Sequence, residues 1–163
     1  QSNRFSYSAS DDMATVLDTV QEKMQHFTDD DGNLLSIAPD TIIIPNSGKM
    51  KRKFMEVVGS EFKDQGNSTG FNFQYGGWNF IVWNYLPNTI AGKEYFMLLD
   101  SKKNQNTYAM PFLDRVKLTT DSHKDTNTGA QVYTGRARFI AGFAKWNSIA
   151  IAGDSLADAT ALL

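Results

Sequence analysis

The chain has 163 residues, 41% of them hydrophobic and none of them cysteine, so it can bury a core without disulfide staples or thiolate metal sites. Sixteen Lys and Arg against eighteen Asp and Glu leave a formal net charge of -2. That balance argues against a protein that grips nucleic acid over a wide basic face. No apolar run is long enough to cross a bilayer, so we expect no membrane partner.

The first residues, Gln1-Ser2-Asn3, are typical of the remnant of a cleavable purification tag. We therefore expect residues 1–4 to combine a tag remnant with the start of the native sequence, and residues 5–163 to form one unit. On this interpretation the native sequence begins directly before a helix, as in a fragment cut from a longer protein.

An apolar stripe with helical spacing predicts a first helix that ends by Phe27. Ser10 is the expected cap, and Asp11 and Asp12 are expected in the first turn, where the helix dipole favours anions. The stripe consists of Met13, Val16, Leu17, Val20, Met24 and Phe27. The acidic segment 29–33 then predicts a turn. Its aspartates are consecutive rather than alternating, so they do not fit a calcium loop, and we expect no metal there.

Three consecutive isoleucines, residues 42–44, stand between Pro39 and Pro45 and predict a short strand covered on both faces. Pro45 is expected to end the strand's pairing, and Asn46 or Ser47 to cap a second helix. The apolar stripe of that helix is Met50, Phe54, Val57 and Val58, with Gly59 as the expected stop.

Strand signals dominate after the second helix. Residues 61–77 alternate glycine-rich and aromatic pieces, which predicts a mobile loop or a loosely paired hairpin. Residues 78–86 and 95–99 are predicted strands, and 100–104 a turn. Residues 119–131 are polar and rich in Gly, Asn and Thr, which predicts an exposed loop.

The last part of the chain is predicted to form two strands, residues 134–144 and 148–152, joined at 145–147. The tail from Ser155 to Leu163 is a predicted short helix with Ser155 as its cap. A helix, a strand and a helix followed by a run of strands is typical of the α+β class rather than of a regular βαβ winding.

The sequence offers little for catalysis. Its two histidines are His26, near the predicted end of the first helix, and His123, in the predicted polar loop, and we expect neither to be catalytic. Ser47-Gly48-Lys49 follows a strand and opens a helix but lacks the earlier glycine and the following Ser or Thr of a phosphate loop. We therefore predict no enzyme activity, no cofactor and no small-molecule substrate.

Four cations crowd the first turns of the second helix, where positive charge opposes the helix dipole at a cost of about 0.3–1 kcal/mol per exposed charge. They are Lys49, Lys51, Arg52 and Lys53. Two interpretations stay open. The cluster contacts an acidic neighbouring subunit or packaged DNA, or it is a solvated basic face.

Aromatic residues concentrate between Trp78 and Tyr85, with Phe80 and Trp83 between them. Rings in this density form a strand core or an interface anchor. The alternative is a non-catalytic module that binds carbohydrate or peptide on an exposed aromatic strand.

The order of the acidic turn 29–33, the Ile-rich strand 39–45 and the following helix resembles the C-terminal half of tailed-phage major capsid proteins. It is most similar to the Mu-like major head subunits, whose fold is that of phage Hong Kong 97. The segments 134–139, 144–146 and 149–153 are similar to the closing strands of such subunits. The resemblance spans most of residues 11–153 and depends on the order of these patterns.

The resemblance implies an axial domain with part of a peripheral domain, and a subunit that self-assembles into capsomers enclosing double-stranded DNA. The implied partners are copies of the chain and, non-specifically, the packaged DNA. The implied location is the virion shell, assembled in the bacterial cytoplasm. In such a shell residues 61–77 are expected near the capsomer axis. The family has no catalytic motif to carry over.

Overall fold

The computed structural model describes residues 2–64, 69–155 and 160–161. Within them the predicted α+β class is confirmed. The helices are α1 (Met13–Gln25), α2 (Gly48–Val58) and α3 (Ser101–Thr107). The strands are β1 (Arg4–Tyr7), β2 (Thr41–Pro45), β3 (Phe62–Asp64), β4 (Thr69–Phe71), β5 (Asn79–Trp83), β6 (Tyr95–Leu99), β7 (Phe112–Lys124), β8 (Gln131–Ala141), β9 (Ile149–Asp154) and β10 (Thr160–Ala161).

Six strands form a mixed sheet in the order β10-β1-β9-β6-β2-β5. β6 runs antiparallel to both of its neighbours, whereas β2 and β5 are parallel, as are β1 and β9. β2 is buried at all five positions, which confirms the prediction of a covered isoleucine strand. Pro45 is the last residue of that strand, opposite Trp83, so the pairing ends there as predicted. A proline is tolerated at the last residue of a strand because little pairing follows it.

Helices α1 and α2 cover one face of this sheet. We call the six-stranded sheet and these two helices the body. All six residues of the predicted α1 stripe are buried. In α2 the side chains of Met50 and Phe54 are fully buried, and the ring of Phe54 lies 4.9 Å from that of Phe96 in the sheet. Burying one such ring stabilises the fold by about 1.5–3 kcal/mol. The opposite face of the sheet is less covered, with Ile81 40% exposed.

The start of α1 differs from the prediction. Asp12, not Ser10, is the cap residue, and its side chain makes no capping hydrogen bond. Asp11 instead accepts a hydrogen bond from the backbone N–H of Ser8, which fixes the turn that precedes the helix. The predicted acidic first turn is therefore wrong, because both aspartates lie before the first helical residue. At α2, Ser47 is the cap and Gly59 the end, as predicted.

Residues 100–104, predicted as a turn, begin the short helix α3. Asp100 caps this helix by accepting a hydrogen bond from the backbone N–H of Lys103 at 2.7 Å. The helix ends at Tyr108, whose φ of 50° is left-handed. The sequence predicts a turn here because an aspartate that caps a helix and an aspartate in a turn look alike in sequence.

Strands β7 and β8 form a two-stranded antiparallel sheet, here called the ribbon. The predicted loop 119–131 was wrong up to Lys124, because those residues belong to β7 and pair with β8. β-Branched residues such as Thr119 and Thr120 favour strands even when their surroundings are polar. The predicted strand 134–144 is found as β8, but it pairs with β7, whereas β9 lies in the sheet of the body.

Both ends of the described chain add strands that were not predicted. β1 lies between β9 and β10, with Phe5 and Tyr7 buried, so a strand precedes the first helix. The predicted terminal helix is wrong where it is described, because Ser155 has a left-handed φ of 45° and Thr160–Ala161 is a strand beside β1. The rest of that tail lies outside the described residues.

Of the two alternatives for residues 61–77, the hairpin is found. β3 pairs with β4 in antiparallel register, with Phe62 opposite Phe71. Residues 65–68 between them lie outside the described part of the chain, so the predicted mobility stays a prediction.

Candidate functional site

The basic cluster at the start of α2 has a counter-charge within the chain. Glu94, directly before β6, forms ion pairs with both Lys49 and Lys53 at 2.9 Å. Its partial burial disfavours the charged form, but the two lysines outweigh this and lower the pKa of Glu94. The electrostatic conflict between the lysines and the helix dipole is therefore offset by a residue of the body.

The other two cations of the cluster, Lys51 and Arg52, differ in their surroundings. The ammonium group of Lys51 donates a hydrogen bond to the side-chain oxygen of Asn46, and Arg52 is exposed. Glu94 thus pairs with two of the four cations, and Asn46 accepts a hydrogen bond from a third. Contact of this cluster with DNA or a subunit stays a prediction. Lys51 and Arg52 are the two residues that we expect to make such a contact.

The aromatic segment is divided between two faces. Trp78 and Phe80 are partly buried against the core, and the indole N–H of Trp78 donates to Gln74, whose amide donates to Asp18 of α1. On the other side Trp83 is 50% exposed, and Tyr85, after the strand, is 92% exposed. The rings therefore split into a core pair and an exposed pair rather than forming one platform.

The two histidines lie in separate, exposed places. The ring Nδ1 of His26 lies 2.8 Å from the carbonyl oxygen of Glu22 at the end of α1, a capping position. His123 is on β7 opposite Val132, not in a loop as predicted. Among the described residues no group of three or more His, Asp or Glu is placed to hold a metal ion.

The ribbon carries several exposed large apolar side chains, among them Phe112, Leu113, Leu118, Phe139 and Ile140. None of its described side chains is buried, and only Val116 and Val132 are half-buried. Two register shifts interrupt its pairing, between Asp114 and Val116 and again before Thr119. An isolated hairpin is marginally stable in water, so a ribbon with both faces exposed is expected to gain stability from a partner.

The two faces of the ribbon differ in chemistry because side chains alternate along a strand. One face is apolar: the rings of Phe112 and Phe139 stack at 5.3 Å, and Leu118 lies over Gly135. The other face carries Arg136 and Arg138, and we call it the arginine face. Neither arginine was singled out from the sequence, although Tyr133, Gly135, Ala137 and Phe139 alternate with them.

A comparison with protein-family models identifies residues 5–86 as matching the Mu-like prophage major head subunit gpT. The match covers half of the chain and runs from β1 through β5. The chain belongs to this major head subunit family. The resemblance seen in the sequence is thereby confirmed for this part, whereas the likeness of segments 134–153 to closing capsid strands stays a prediction.

Membership in the Mu-like major head subunit family gives the chain a structural role in a phage or prophage capsid. The matched region contains the basic cluster and the aromatic segment, and the ribbon follows it. A search of curated proteins gave no match. Among the described helices, none has the length and apolar composition that a membrane span requires.

Proposed function

We propose that the chain is a shell-forming subunit with a Hong Kong 97-like fold, comprising an axial domain and part of a peripheral domain. It self-assembles into capsomers that enclose double-stranded DNA, and assembly takes place in the bacterial cytoplasm before the protein becomes part of the virion. Together with the family, the observation that carries this proposal is the ribbon, which buries none of its described side chains within its own chain.

A shell subunit needs a rigid core and exposed elements that reach its neighbours. The body supplies the first, with its fully buried strand β2. The ribbon supplies the second, because two strands of 13 and 11 residues carry large apolar side chains in water. Closed shells are built from many symmetric contacts that are individually modest. The exposed apolar surface of the ribbon is of the kind that forms one such contact.

The charge of the chain bears on its relation to DNA. A formal net charge of -2 does not favour tight binding to a polyanion. This net charge is compatible with a shell protein that encloses DNA and contacts it non-specifically through a few cations. Lys51 and Arg52 are the candidates for these contacts. Residues 61–77 are expected near the capsomer axis.

Expression of the complete reading frame that encodes this chain tests the proposal. Negative-stain electron microscopy and sedimentation are expected to reveal closed particles or capsomers, and particles formed with DNA should protect it from nuclease. A complete gene product that folds but sediments only as a monomer at high concentration would contradict the proposal.

The exposed pair Trp83 and Tyr85 keeps one alternative open, a module that binds carbohydrate or peptide. Stacking on exposed rings gives such modules their affinity. A titration that follows tryptophan fluorescence with soluble oligosaccharides and peptides, repeated with Trp83→Ala and Tyr85→Ala, distinguishes the two. Saturable binding that both variants abolish, without any effect on assembly, would favour the module.

A further inference from the structure

The charges of the chain are unevenly distributed between the ribbon and α1. Residues 112–141 carry five Lys and Arg against three Asp, whereas residues 11–31 carry seven Asp and Glu against one Lys. The acidic segment includes α1 and the turn that follows it. The chain thus presents two exposed surfaces of opposite sign on different elements.

Two of the five cations of the ribbon, Arg136 and Arg138, lie on the arginine face. Arg136 and Arg138 are exposed, and within the described residues neither forms an ion pair. Apolar side chains lie on the same face: Val116 is opposite Arg138, Ile140 and Leu113 pair across the strands near the base, and Val132 lies toward the tip, whereas Thr119 is opposite Arg136. Arginines beside apolar side chains are typical of the centre of a protein interface.

The acidic surface of α1 has matching properties. Glu22, Asp30 and Asp31 are exposed, and Leu34, close to them in the chain, is 64% exposed. Carboxylates beside an exposed leucine complement arginines flanked by aliphatic side chains, because arginine pairs with carboxylates through two parallel hydrogen bonds.

The base of the ribbon is anchored to the body close to this acidic turn. The backbone N–H of Ala144 donates to the carbonyl oxygen of Ala109 at 2.7 Å, and the ring of Trp146 lies 5.4 Å from that of Phe27. From that anchor a strand of 13 residues extends about 40 Å. Since both arginines are exposed on a strand that leads away from the body, a second copy can reach them.

We propose that the arginine face of the ribbon docks on the acidic surface formed by α1 and the turn 29–31 of a second copy of this chain. This inference rests on the proposed function and names the surfaces that its self-association uses. The contact is head-to-tail, because each copy contributes its ribbon to one neighbour and its α1 surface to the other. Head-to-tail contacts generate rings when the rotation closes, as a capsomer requires.

The size of the contact agrees with this role. A ribbon about 40 Å long and about 10 Å wide presents roughly 400 Å² on one face. A stable two-protein interface buries about 800 Å² on each partner, so the ribbon supplies one contact among several. DNA is the less favoured occupant, because the aliphatic side chains of Leu113, Val116 and Ile140 on the same face suit a protein surface better than a row of phosphates.

Charge reversal and charge exchange in the complete gene product test the inference. Arg136→Glu with Arg138→Glu, and separately Glu22→Lys with Asp30→Lys, are each expected to reduce particle yield about tenfold or more, because like charges then meet across the contact. All four substitutions in one chain are expected to restore the yield to within about threefold of wild type. The matched control, Lys102→Glu with Lys124→Glu, changes charge equally away from both surfaces and is expected to stay within about twofold.

The outcomes separate this inference from the proposed function. If wild type assembles and the ribbon reversal assembles equally well, only the inference is overturned. If the charge exchange fails to rescue assembly, the pairing with α1 is wrong, and a loss of DNA content alone would assign the arginines to DNA. If wild type does not assemble, the proposed function fails first.

Cysteine crosslinking gives a second measurement that does not depend on how well the reversed variants fold. These 163 residues contain no cysteine, so Arg138→Cys combined with Asp30→Cys introduces their only thiols, and the unsubstituted gene product is the control for any thiols outside them. Oxidised particles of this double variant are expected to give a ladder of crosslinked multimers on a denaturing gel, whereas each single variant stops at dimers. A double variant that assembles without a ladder would overturn the contact.

Discussion

The body buries β2 at all five of its positions, whereas the ribbon buries none of the described side chains of β7 and β8. Both regions contain β-branched and aromatic residues in strands, so local propensity does not explain the difference. In the body two helices cover one face of the sheet, and the sheet neighbours satisfy the backbone. The body is therefore complete within one chain, whereas the ribbon has the exposed apolar surface of an element whose partner lies elsewhere.

The largest expected effect comes from the core of the body. Phe54→Ala is expected to reduce the free energy of unfolding by about 3–5 kcal/mol, because it removes a fully buried ring that contacts Phe96 and Phe80. Phe143→Ala, at a ring that is 59% exposed near the ribbon, is the matched control and is expected to cost less than about 1 kcal/mol. Urea denaturation measures both. If both variants lose the same free energy of unfolding, the two regions are not packed differently.

The next effect comes from a buried carboxylate between the sheet and α3. Asp100 is 4% exposed and accepts hydrogen bonds from the backbone N–H groups of Ala38 at 2.8 Å and Lys103 at 2.7 Å. Asp100→Asn is expected to cost about 2–3 kcal/mol, because the amide presents a donor where an acceptor is needed. Thermal unfolding checks this.

The ribbon offers a matched control for that substitution. Asp125, in the turn between β7 and β8, accepts from the backbone N–H of Asn127 and from the hydroxyl of Thr128, but it is only half-buried and in contact with water. Asp125→Asn is expected to lower the melting temperature clearly less than Asp100→Asn, since water replaces the lost bonds. An equal or larger drop at the ribbon would contradict the comparison.

Acid is expected to weaken the body. The pKa of Glu94 lies below its ordinary value of 4.5, because Lys49 and Lys53 outweigh its desolvation, and the hydrogen bonds of Ser101 lower the pKa of Asp40 in the same way. Groups with a depressed folded-state pKa stabilise the protein fully above their unfolded-state pKa, and this stabilisation is lost as pH falls through the folded-state value. The melting temperature should therefore decrease below about pH 4.5.

Removing the charge of Glu94 sharpens that prediction. Glu94→Gln is expected to cost about 1 kcal/mol at neutral pH, because both ion pairs are lost, and to flatten the acid dependence. Glu61→Gln, at an exposed carboxylate, is the matched control and is expected to cost less than about 0.5 kcal/mol at neutral pH. Melting curves recorded from pH 3 to 7 provide the measurement, and an acid profile unaffected by Glu94→Gln would show that the pairs do not stabilise the fold.

The smallest expected effect lies on the apolar face of the ribbon. Leu118 is 72% exposed, so Leu118→Ser is expected to change the free energy of unfolding of the isolated chain by less than about 0.5 kcal/mol. Chemical denaturation of the isolated chain tests this. A loss above about 1 kcal/mol would mean that the ribbon packs on its own body in solution.

The sequence predicts the parts of the fold whose signals are local. The stripe of α1, the three isoleucines of β2 and the stop at Gly59 are each read from a few neighbouring residues, and the structure confirms all three. The strand β1 was missed, although the alternation of Phe5 and Tyr7 indicates a strand with one buried face.

The ribbon and the counter-charge of the basic cluster could not be predicted in the same way. Residues 119–124 of β7 are polar on both faces because both faces are in water there, and this pattern is indistinguishable from that of a loop. Glu94 is 41 residues from Lys53 in the chain, so only the folded sheet brings the two together. Partners from distant parts of the sequence leave no periodic signal.

Hydrogen exchange, compared between the isolated chain and assembled particles of the complete gene product, tests the central claim most directly. In the isolated chain the amides of β2, β6 and β9 should exchange slowly and those of β7 and β8 quickly. On assembly β7 and β8 should gain protection together with the exposed face of α1, because a neighbouring copy covers both. Ribbon amides that exchange at the same rate in both states, while the particles remain intact, would contradict the account.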